Sequence, residues 1–365
     1  MSFENCKKAS VDTLARAFAQ LRPEEVFAEA FQCTVIAAMN TIIDFLNKRP
    51  ACRVALAVHQ RPDGDALGSG TGLAGVLEER GYHARIVNAM PLPADLSFML
   101  DPRLHAYHDS TDWWKEYDCL GVLDCGEEGR LDEINRCALE HLPTFTIDHH
   151  ASSPGLGEAR WIEPDASSTG EMVVRLCRTA GWPLRPASAQ ALWTAVVTDT
   201  GRFSFENTTA DALEAARDCV LAGASPAVAA ASLYQSVSLA ERRLQRLALD
   251  RMELFADNRM AVTWLVASDF ADVGCGVAEA KNLVNILRDT KGVEVGIFLY
   301  EVPGGGDVKA SFRTRSPHDA ISVTRRFGGG GHQRAAGCSY HGSMEAAKKA
   351  ITEAALETYF ISART

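Results

Sequence analysis

The stretch VHQRPDGDALGS, residues 58–69, follows an apolar run and carries three potential metal ligands, His59, Asp63 and Asp65. The run at 53–58 predicts a buried strand, and the glycine-rich residues that come after it predict the start of a helix. An open α/β sheet places its chemistry at the carboxyl ends of its strands. Asp-Gly-Asp is also good turn chemistry, so an Asx-turn without a metal is the alternative.

Three later segments repeat this arrangement, in which an apolar run ends in acidic or histidine side chains. They are LGVLDCG at 120–126, TFTIDHH at 144–150 and AVVTDTG at 195–201, and we predict a strand for each run. The residues at their ends are Asp124, Asp148, His149, His150 and Asp199. A single strand-end Asp is usually a cap or turn residue. Four such clusters predict one crevice, because strand carboxyl ends in a parallel sheet all face the same way.

The four motifs, in this order and spacing, resemble those of the DHH phosphoesterases. A fifth segment, FGGGGHQRAAG at 327–337, is similar to the GGGH motif of the C-terminal domain associated with that family. Within the family, the plan is similar to that of bacterial oligoribonucleases that also act as phosphatases of 3′-phosphoadenosine 5′-phosphate (pAp). The resemblance implies an α/β fold with a parallel-sheet DHH domain, flanking helices and a smaller α/β C-terminal domain. It places the active site in the cleft between the two domains.

The pattern along the chain predicts four parts. Residues 1–50 form a helical N-terminal extension, in which apolar residues recur at helical spacing and indicate core packing or a dimer seam. Residues 51–224 form the catalytic, metal-binding DHH domain. Residues 225–254 form a charged helical linker, for which a nucleic-acid-binding helix is the alternative. Residues 255–365 form the C-terminal substrate-binding domain.

The resemblance also implies two divalent cations in the site. Oxygen-rich ligands with imidazole favour Mn²⁺, with Mg²⁺ as the alternative, over metals that prefer thiolates. By resemblance, Asp124 bridges both ions. His59 and Asp63 would hold one ion, and the other would be held by Asp65, His149 and Asp199. Two metals about 3.5–4 Å apart can activate a water molecule, neutralise the phosphate and stabilise the leaving oxygen.

Two further residues are predicted to be catalytic. Because the resemblance assigns His149 to the metal, His150 is left to hydrogen-bond the phosphate or to protonate the leaving group. Asp148 would hold an imidazole in its orientation. A purely structural role is the alternative for His150.

The C-terminal domain is predicted to bind the substrate. Five arginines and one acid lie between residues 313 and 334, and the planar guanidinium suits phosphate. The amides of the glycines at 328–331 can line an anion nest. The alternative is that these glycines only form a turn. The predicted substrate-binding residues are Ser311, Arg313, Gly330, Gly331, His332 and Arg334.

Composition limits the partners and the compartment. The net charge of the 365 residues is −10, from 37 basic and 47 acidic residues, which argues against coating of long duplex nucleic acid. The ten cysteines form no Cys-x-x-Cys pair, as expected for free thiols in a reducing compartment. We see neither a secretory pattern nor an apolar run long enough for a membrane, so we expect a cytoplasmic protein without a membrane partner.

The predicted function is metal-dependent hydrolysis of short single-stranded RNA from the 3′ end, with conversion of pAp to AMP as a second activity. The alternative is a cyclic or linear dinucleotide phosphodiesterase. A RecJ-like DNA exonuclease would need a further oligonucleotide-binding domain, and an inorganic pyrophosphatase lacks the GGGH domain. A catalytically inactive nucleotide sensor would have lost a ligand, whereas all six are present. A second copy of the chain, in a homodimer, is a further expected partner.

Overall fold

The computed structural model describes residues 23–361, except 89–92, 109, 111, 281 and 303. The chain divides into two compact units between Gln235 and Ser236. Each unit has its own sheet and its own buried core.

The first unit contains a sheet of six parallel strands. They are β1 (Arg53–Ala57), β2 (His83–Asn88), β3 (His105–Tyr107), β4 (Cys119–Leu123), β5 (Thr144–Asp148) and β6 (Ala159–Ile162). Their order is β3-β2-β1-β4-β5-β6, and β4 and β5 are buried along their whole length. Continuous apolar runs of this kind are typical of a parallel sheet covered on both faces. Between β1 and β4 the strand order reverses, which is the point where such sheets bind ligands.

Seven α-helices belong to the described part of the first unit. They are α1 (Pro23–Asn47), α2 (Gly64–Glu79), α3 (Glu133–Ala138), α4 (Thr169–Ala180), α5 (Pro186–Asp199), α6 (Ala210–Leu221) and α7 (Pro226–Tyr234). The stripe predicted in the N-terminal extension is core packing, since Met39, Ile42 and Leu46 of α1 are buried. The rest of that extension, residues 1–22, lies outside the described residues. Helices α2 and α5 pack closely against each other. The evidence is that a Cβ atom on Gly68 would lie only 2.5 Å from the Ala191 carbonyl oxygen.

The prediction of a strand at 195–201 was wrong. This segment is the end of α5, and Asp199 is the last residue of that helix. The apolar side chains of Leu192, Ala195 and Val196 are fully buried at helical spacing, and the alternation of a strand is absent. The helix brings Asp199 to the same site as the strand ends, as the distances below show.

The second unit also contains a six-stranded sheet, of order β11-β12-β10-β9-β8-β7. Its strands are β7 (Glu253–Phe255), β8 (Met260–Leu265), β9 (Val295–Glu301), β10 (Asp307–Thr314), β11 (Gly330–His332) and β12 (Ala335–His341). Only β8 and β9 pair in parallel; the other neighbours are antiparallel. Its described α-helices are α8 (Leu239–Asp250), α9 (Ala267–Val273), α10 (Leu283–Arg288), α11 (Ala320–Thr324) and α12 (Met344–Leu356).

Helices cover both faces of this second sheet. On one face, Phe312 of β10 shares a core with Ile351 of α12. On the other face, Phe298 of β9 shares a core with Phe270 of α9 and Leu244 of α8. The predicted α/β fold class, with a parallel sheet and a second, smaller α/β unit, is confirmed.

The segment predicted as a linker, 225–254, contains two helices, α7 and α8, and the division between the units falls between them. Helix α8 buries Leu244 and Ala248 in the core of the second unit and is therefore part of that unit. The sequence suggested a linker helix because the charged residues of α8 mask the narrow apolar stripe that it buries.

Of the helices that the structure describes, none combines the length and the apolar character needed to cross a bilayer. The nine cysteines in the described part of the chain are free thiols, as expected from their spacing.

Candidate metal centre

Asp124 follows β4 directly and adopts an unusual backbone conformation. Its φ angle is 56°, in the left-handed region that non-glycine residues seldom occupy. Its N–H donates to the Ile147 carbonyl at 3.0 Å, and its buried Oδ1 accepts a hydrogen bond from Thr169 Oγ1 at 3.1 Å. Strain of this kind persists where the surrounding structure imposes it, and it is common at functional sites.

Two groups of potential ligands meet at this carboxylate. On one side, His59 Nε2 lies 3.7 Å from Asp124 Oδ2 and 3.9 Å from Asp63 Oδ1. Metal–ligand bonds of about 2.0–2.2 Å place the ligands of one ion roughly 3–3.5 Å apart. The three side chains could therefore hold a cation after a small inward adjustment.

The second group surrounds His149. Its Nε2 lies 3.5 Å from Asp124 Oδ1 and 3.7 Å from both Asp65 Oδ2 and Asp199 Oδ2. Asp65, His149 and Asp199 could likewise hold a cation. The structure thus brings all six predicted ligands together, with one Asp124 oxygen facing each group.

Asp63 also forms the turn that was the alternative prediction for the segment at 58–69. Its Oδ1 accepts hydrogen bonds from the N–H groups of Asp65 and Ala66, both at 3.1 Å, and so caps α2. The same oxygen faces His59. The cap and the ligand role are compatible, because the cap fixes the direction in which the carboxylate points.

Hydrogen bonds to fixed acceptors orient both histidines of the Asp-His-His motif. His149 Nδ1 lies 3.2 Å from the Ala166 carbonyl oxygen, and His150 Nδ1 lies 2.7 Å from Asp148 Oδ1. Both partners accept, so each Nδ1 donates the proton of its hydrogen bond and each Nε2 is the ring nitrogen that stays outside it. This is the tautomer that a metal-ligating imidazole at His149 requires. His150 Nδ1 also lies 3.5 Å from Asp124 Oδ1.

Backbone groups that the sequence analysis did not predict hold Asp65. Its two oxygens accept from the N–H groups of Thr169, at 2.7 Å, and Gly170, at 2.8 Å, at the start of α4. A Cβ atom on Gly170 would lie 2.3 Å from that of Ala195, so this approach requires glycine. The available signal was the Ser168-x-x-Glu capping pattern, which marks a helix N-terminus and thus a place suited to a carboxylate.

The pKa shifts at the centre indicate that a positive charge would stabilise it. Burial, followed by repulsion from neighbouring carboxylates, raises the pKa of Asp65 and Asp124 well above the ordinary range. Burial also raises the pKa of Asp199 and lowers that of His59. For Asp148, hydrogen bonds from His150 outweigh burial and hold the pKa below its usual value. The donor set therefore fits divalent cations, which would compensate several buried carboxylates at once.

These shifts predict how the stability of the metal-free protein depends on pH. A raised pKa means that the folded state binds the proton of Asp124 more tightly than the unfolded state does. The stabilisation from protonated Asp124 is therefore present below about pH 4 and lost as the pH rises through the raised folded pKa. We expect Asp124→Asn, a neutral mimic of the protonated acid, to melt above wild type at about pH 8 in EDTA.

Melting temperatures measured by calorimetry across the pH range test this expectation. The difference between Asp124→Asn and wild type should shrink towards about pH 4. Mn²⁺ should raise the melting temperature of wild type far more than that of the variant. Equal melting of the two proteins at every pH would show that this carboxylate carries no electrostatic strain.

The predicted substrate-binding residues of the second unit occupy neighbouring strands. Ser311 and Arg313 lie on one face of β10, opposite the buried face that contains Phe312. The register places Arg313 beside Ala335, which in turn pairs with His332. Similarly, Ser311 pairs with Gly337 and Gly337 with Gly330. The structure therefore brings these backbone positions together in two adjacent rows, while the side chain of His332 lies outside the described part.

The glycine run at 328–331 was predicted as an anion nest, and its first two residues make contacts within the chain. The N–H groups of Gly328 and Gly329 donate to the carbonyls of Arg325 and Thr324, so these two amides are occupied within the chain. A Cβ atom on Gly329 would lie 2.2 Å from the Gly337 carbonyl oxygen. The run needs glycine because two strands approach each other closely there. In the turn between these strands, the Arg334 side chain donates to the His318 carbonyl.

Comparisons with known proteins agree with this geometry. Residues 53–210 match the DHH family, N-terminal domain, and residues 258–358 match the DHHA1 domain. Together with the relatives described next, these matches show that the chain belongs to the DHH family. The resemblance inferred from the motifs is thereby confirmed.

The relatives are proteins of similar length. The chain is 30% identical to the bifunctional oligoribonuclease and PAP phosphatase NrnA of Thermus thermophilus, over 83% of this chain and 89% of that protein. It is 28% identical to the protein of the same name from Bacillus subtilis, over 80% of this chain and 91% of that one. The crystal structure of an exopolyphosphatase-related protein from Bacteroides fragilis has the same fold. Its TM-score is 0.81 at 24% identity, covering 88% of this chain and 96% of that one.

Proposed function

We propose that this protein is a metal-dependent phosphoesterase that hydrolyses short RNA from the 3′ end and also converts pAp to AMP. The observation that carries the proposal is the convergence of five candidate metal-ligand side chains around a sixth, the strained and buried carboxylate of Asp124. The names of the Thermus and Bacillus relatives, both bifunctional oligoribonucleases and PAP phosphatases, support the class of substrate. We propose the cytoplasm as its compartment, in keeping with its free thiols.

The six side chains would hold two divalent cations, with Mn²⁺ preferred over Mg²⁺. His59 and Asp63 would hold one ion, Asp65, His149 and Asp199 the other, and Asp124 both. When bound, such ions acidify an attacking water and neutralise the phosphate. The chain's own contribution is to fix the direction of each ligand, through the cap at Asp63 and the helix N-terminus that holds Asp65.

His150 is the proposed proton donor to the leaving oxygen. Asp148 accepts the Nδ1 proton, so the imidazole is held in one tautomer and one orientation. An imidazole that is held by a carboxylate can carry a second proton on Nε2 and release it to the substrate. Asp148 stabilises the charged imidazole in that state and does not itself contact the substrate.

The second unit would supply the phosphate-binding groups, chiefly Arg313. Burial, followed by repulsion from Arg288, lowers the pKa of Arg313. Its guanidinium donates to the Phe312 carbonyl and has no acidic partner among the described residues. A largely buried cation without a counter-ion favours an anionic ligand, and a phosphate would match its planar fork.

Arg313→Ala should act on the substrate and not on the metal. We expect KM for pAp to rise roughly 10–100-fold, the value of a charge-assisted hydrogen bond of about 1.5–3 kcal/mol, with Mn²⁺ binding unchanged. Steady-state kinetics beside metal analysis test this. The matched control is Arg243→Ala, which removes an exposed arginine from α8 of the same unit. A loss of Mn²⁺, or equal effects of the two substitutions, would remove Arg313 from the binding role.

The length of the RNA should limit the rate. A protein of net charge −10 offers few contacts to a long polyanion, so hydrolysis with Mn²⁺ should fall as RNA grows beyond a few nucleotides. The panel comprises pAp, RNA of two to about ten nucleotides, 20-nucleotide RNA, short DNA and cyclic dinucleotides, with EDTA as the control. Equal rates on 20-nucleotide RNA and a dinucleotide would indicate a processive exonuclease. Preferred hydrolysis of cyclic dinucleotides would replace the proposal with a dinucleotide phosphodiesterase.

A further inference from the structure

The loop at 163–168, between β6 and α4, supports both sides of the metal centre. Its Ala166 carbonyl orients His149, and the helix that follows it holds Asp65 through two N–H groups. Thr169, at the start of that helix, also donates to Asp124. Three of the six candidate ligands therefore depend on where this one segment lies.

A buried ionic network fixes the inner side of this 163–168 loop. Glu171 Oε2 accepts from the Ser167 N–H at 2.9 Å, and its Oε1 accepts from Arg175 Nη1 at 3.2 Å. The same Arg175 nitrogen donates to Glu163 Oε1 at 2.6 Å. Trp161 Nε1 donates to the other oxygen of Glu163 at 3.0 Å. Each carboxylate oxygen of the network thus accepts a hydrogen bond, and Arg175 Nη1 is shared between the two glutamates.

Burial of this ionic network costs free energy, because its charged groups lose their hydration. Glu171 is 1% exposed and Glu163 is 5% exposed, while the Arg175 side chain is 17% exposed. Apolar residues of similar volume often stabilise a core as well as a buried ion pair does. An ionic network, unlike apolar packing, specifies the direction of the groups that it binds. The backbone of Ser167, next to Ala166, is such a group.

Asn207, which is not part of the ionic network, also holds the 163–168 loop. The Asn207 amide donates to the Ser167 carbonyl at 3.0 Å and to the Asp199 carbonyl at 3.2 Å. It therefore ties the loop to the end of α5, which carries a fourth candidate ligand. Both backbone groups of Ser167 are thus fixed, the N–H by Glu171 and the carbonyl by Asn207.

We propose that Glu171 is a positioning residue of the metal centre, acting with Asn207 through the 163–168 loop. This inference rests on the proposed function, because it requires that the six side chains bind divalent cations. Glu171 contacts neither metal nor substrate in this proposal. It sets the position of the Ala166 carbonyl and of the first N–H groups of α4, and thereby the directions of His149 and Asp65.

Glu171→Gln tests the proposal with almost no change in volume. Glutamine has one acceptor atom, whereas Glu171 receives two different donors, so one donor would face an NH₂ group. Groups that orient metal ligands typically contribute 10–100-fold to affinity, and we expect Mn²⁺ binding to weaken by about that factor. At saturating Mn²⁺, kcat should stay within a few-fold of wild type. The control is Glu214→Gln, which breaks the exposed pair of Glu214 with Arg178 of α4.

Mn²⁺ affinity is measured on the full chain without substrate, from the electron paramagnetic resonance signal of free Mn²⁺. Weaker binding in Glu171→Gln, with the Glu214→Gln control unchanged, supports the proposal. Unchanged affinity together with a lower melting temperature would overturn it, because Glu171 would then be merely structural. If wild type itself binds no Mn²⁺, the metal centre is refuted, and this inference with it.

Asn207→Ala provides a second route that removes no buried charge. Should Glu171→Gln fail to fold, this variant still releases the Ser167 carbonyl from the end of α5. Weaker Mn²⁺ binding in Asn207→Ala supports a loop that positions the ligands. Wild-type affinity in a folded Asn207→Ala protein would overturn the role of the loop.

Discussion

Asp124→Ala is expected to abolish turnover, leaving less than a few per cent of the wild-type kcat on pAp and on a dinucleotide. Its two carboxylate oxygens face the two separate ligand groups, at 3.7 Å from His59 and 3.5 Å from His149. One substitution therefore damages both proposed cation sites at once. The measurement is kcat at saturating Mn²⁺, beside a melting curve that confirms folding.

The matched controls are Asp65→Ala and Asp199→Ala, which each remove a carboxylate from only one ligand group. They should leave residual activity that rises with the Mn²⁺ concentration, because the other group stays intact. If Asp124→Ala retains as much activity as these two variants, a bridging role is excluded and the two-metal mechanism is wrong.

His150→Ala is expected to keep both cations and to slow the chemical step by about 10²–10⁴-fold, the usual contribution of a general acid. Its Nδ1 proton is already engaged by Asp148, which leaves Nε2 as the atom that can donate. The measurements are Mn²⁺ content and kcat on the same preparation.

The protein contains a control with the same chemistry away from the centre. His341 Nδ1 lies 2.6 Å from Asp307 Oδ1, and the His341 side chain is exposed on β12. His341→Ala should leave kcat unchanged. Loss of Mn²⁺ from His150→Ala would instead make His150 a metal ligand, in the group that it forms with Asp124 and His149.

Much of the site could be predicted because most of its candidate ligands lie in short motifs that follow predicted strands. His59, Asp63 and Asp65 lie in a seven-residue span that comes shortly after β1, while Asp124 and His149 follow the ends of β4 and β5. A parallel sheet brings such ends to one edge, and the reversal of strand order between β1 and β4 opens a crevice there. Position along the chain and the geometry of the sheet were therefore enough to predict that these side chains converge, whereas their division between two ions came from the family resemblance.

What the sequence did not predict depends on backbone groups and on tertiary packing. The Ala166 carbonyl and the N–H groups of Thr169 and Gly170 leave no side-chain signature, yet they orient His149 and Asp65. These contacts also join residues that are far apart in the chain. Asp199 was placed on a strand because the short run before it is apolar, and a short apolar run does not separate a strand from a buried helix.

The glycines at 328–331 show a different limit. Glycine permits close approach of any group, whether it is a phosphate or another strand. The structure resolves this for Gly329, whose neighbour is the Gly337 carbonyl of β12. Composition alone could not distinguish the two cases.

The number of Mn²⁺ ions bound per chain tests the central claim most directly. Equilibrium dialysis followed by elemental analysis should find two ions per wild-type chain at saturating Mn²⁺. The same measurement should find a marked loss from both sites in Asp124→Ala. A stoichiometry of two in Asp124→Ala with unchanged affinity, or no bound Mn²⁺ in wild type, would contradict a metal centre built around this carboxylate.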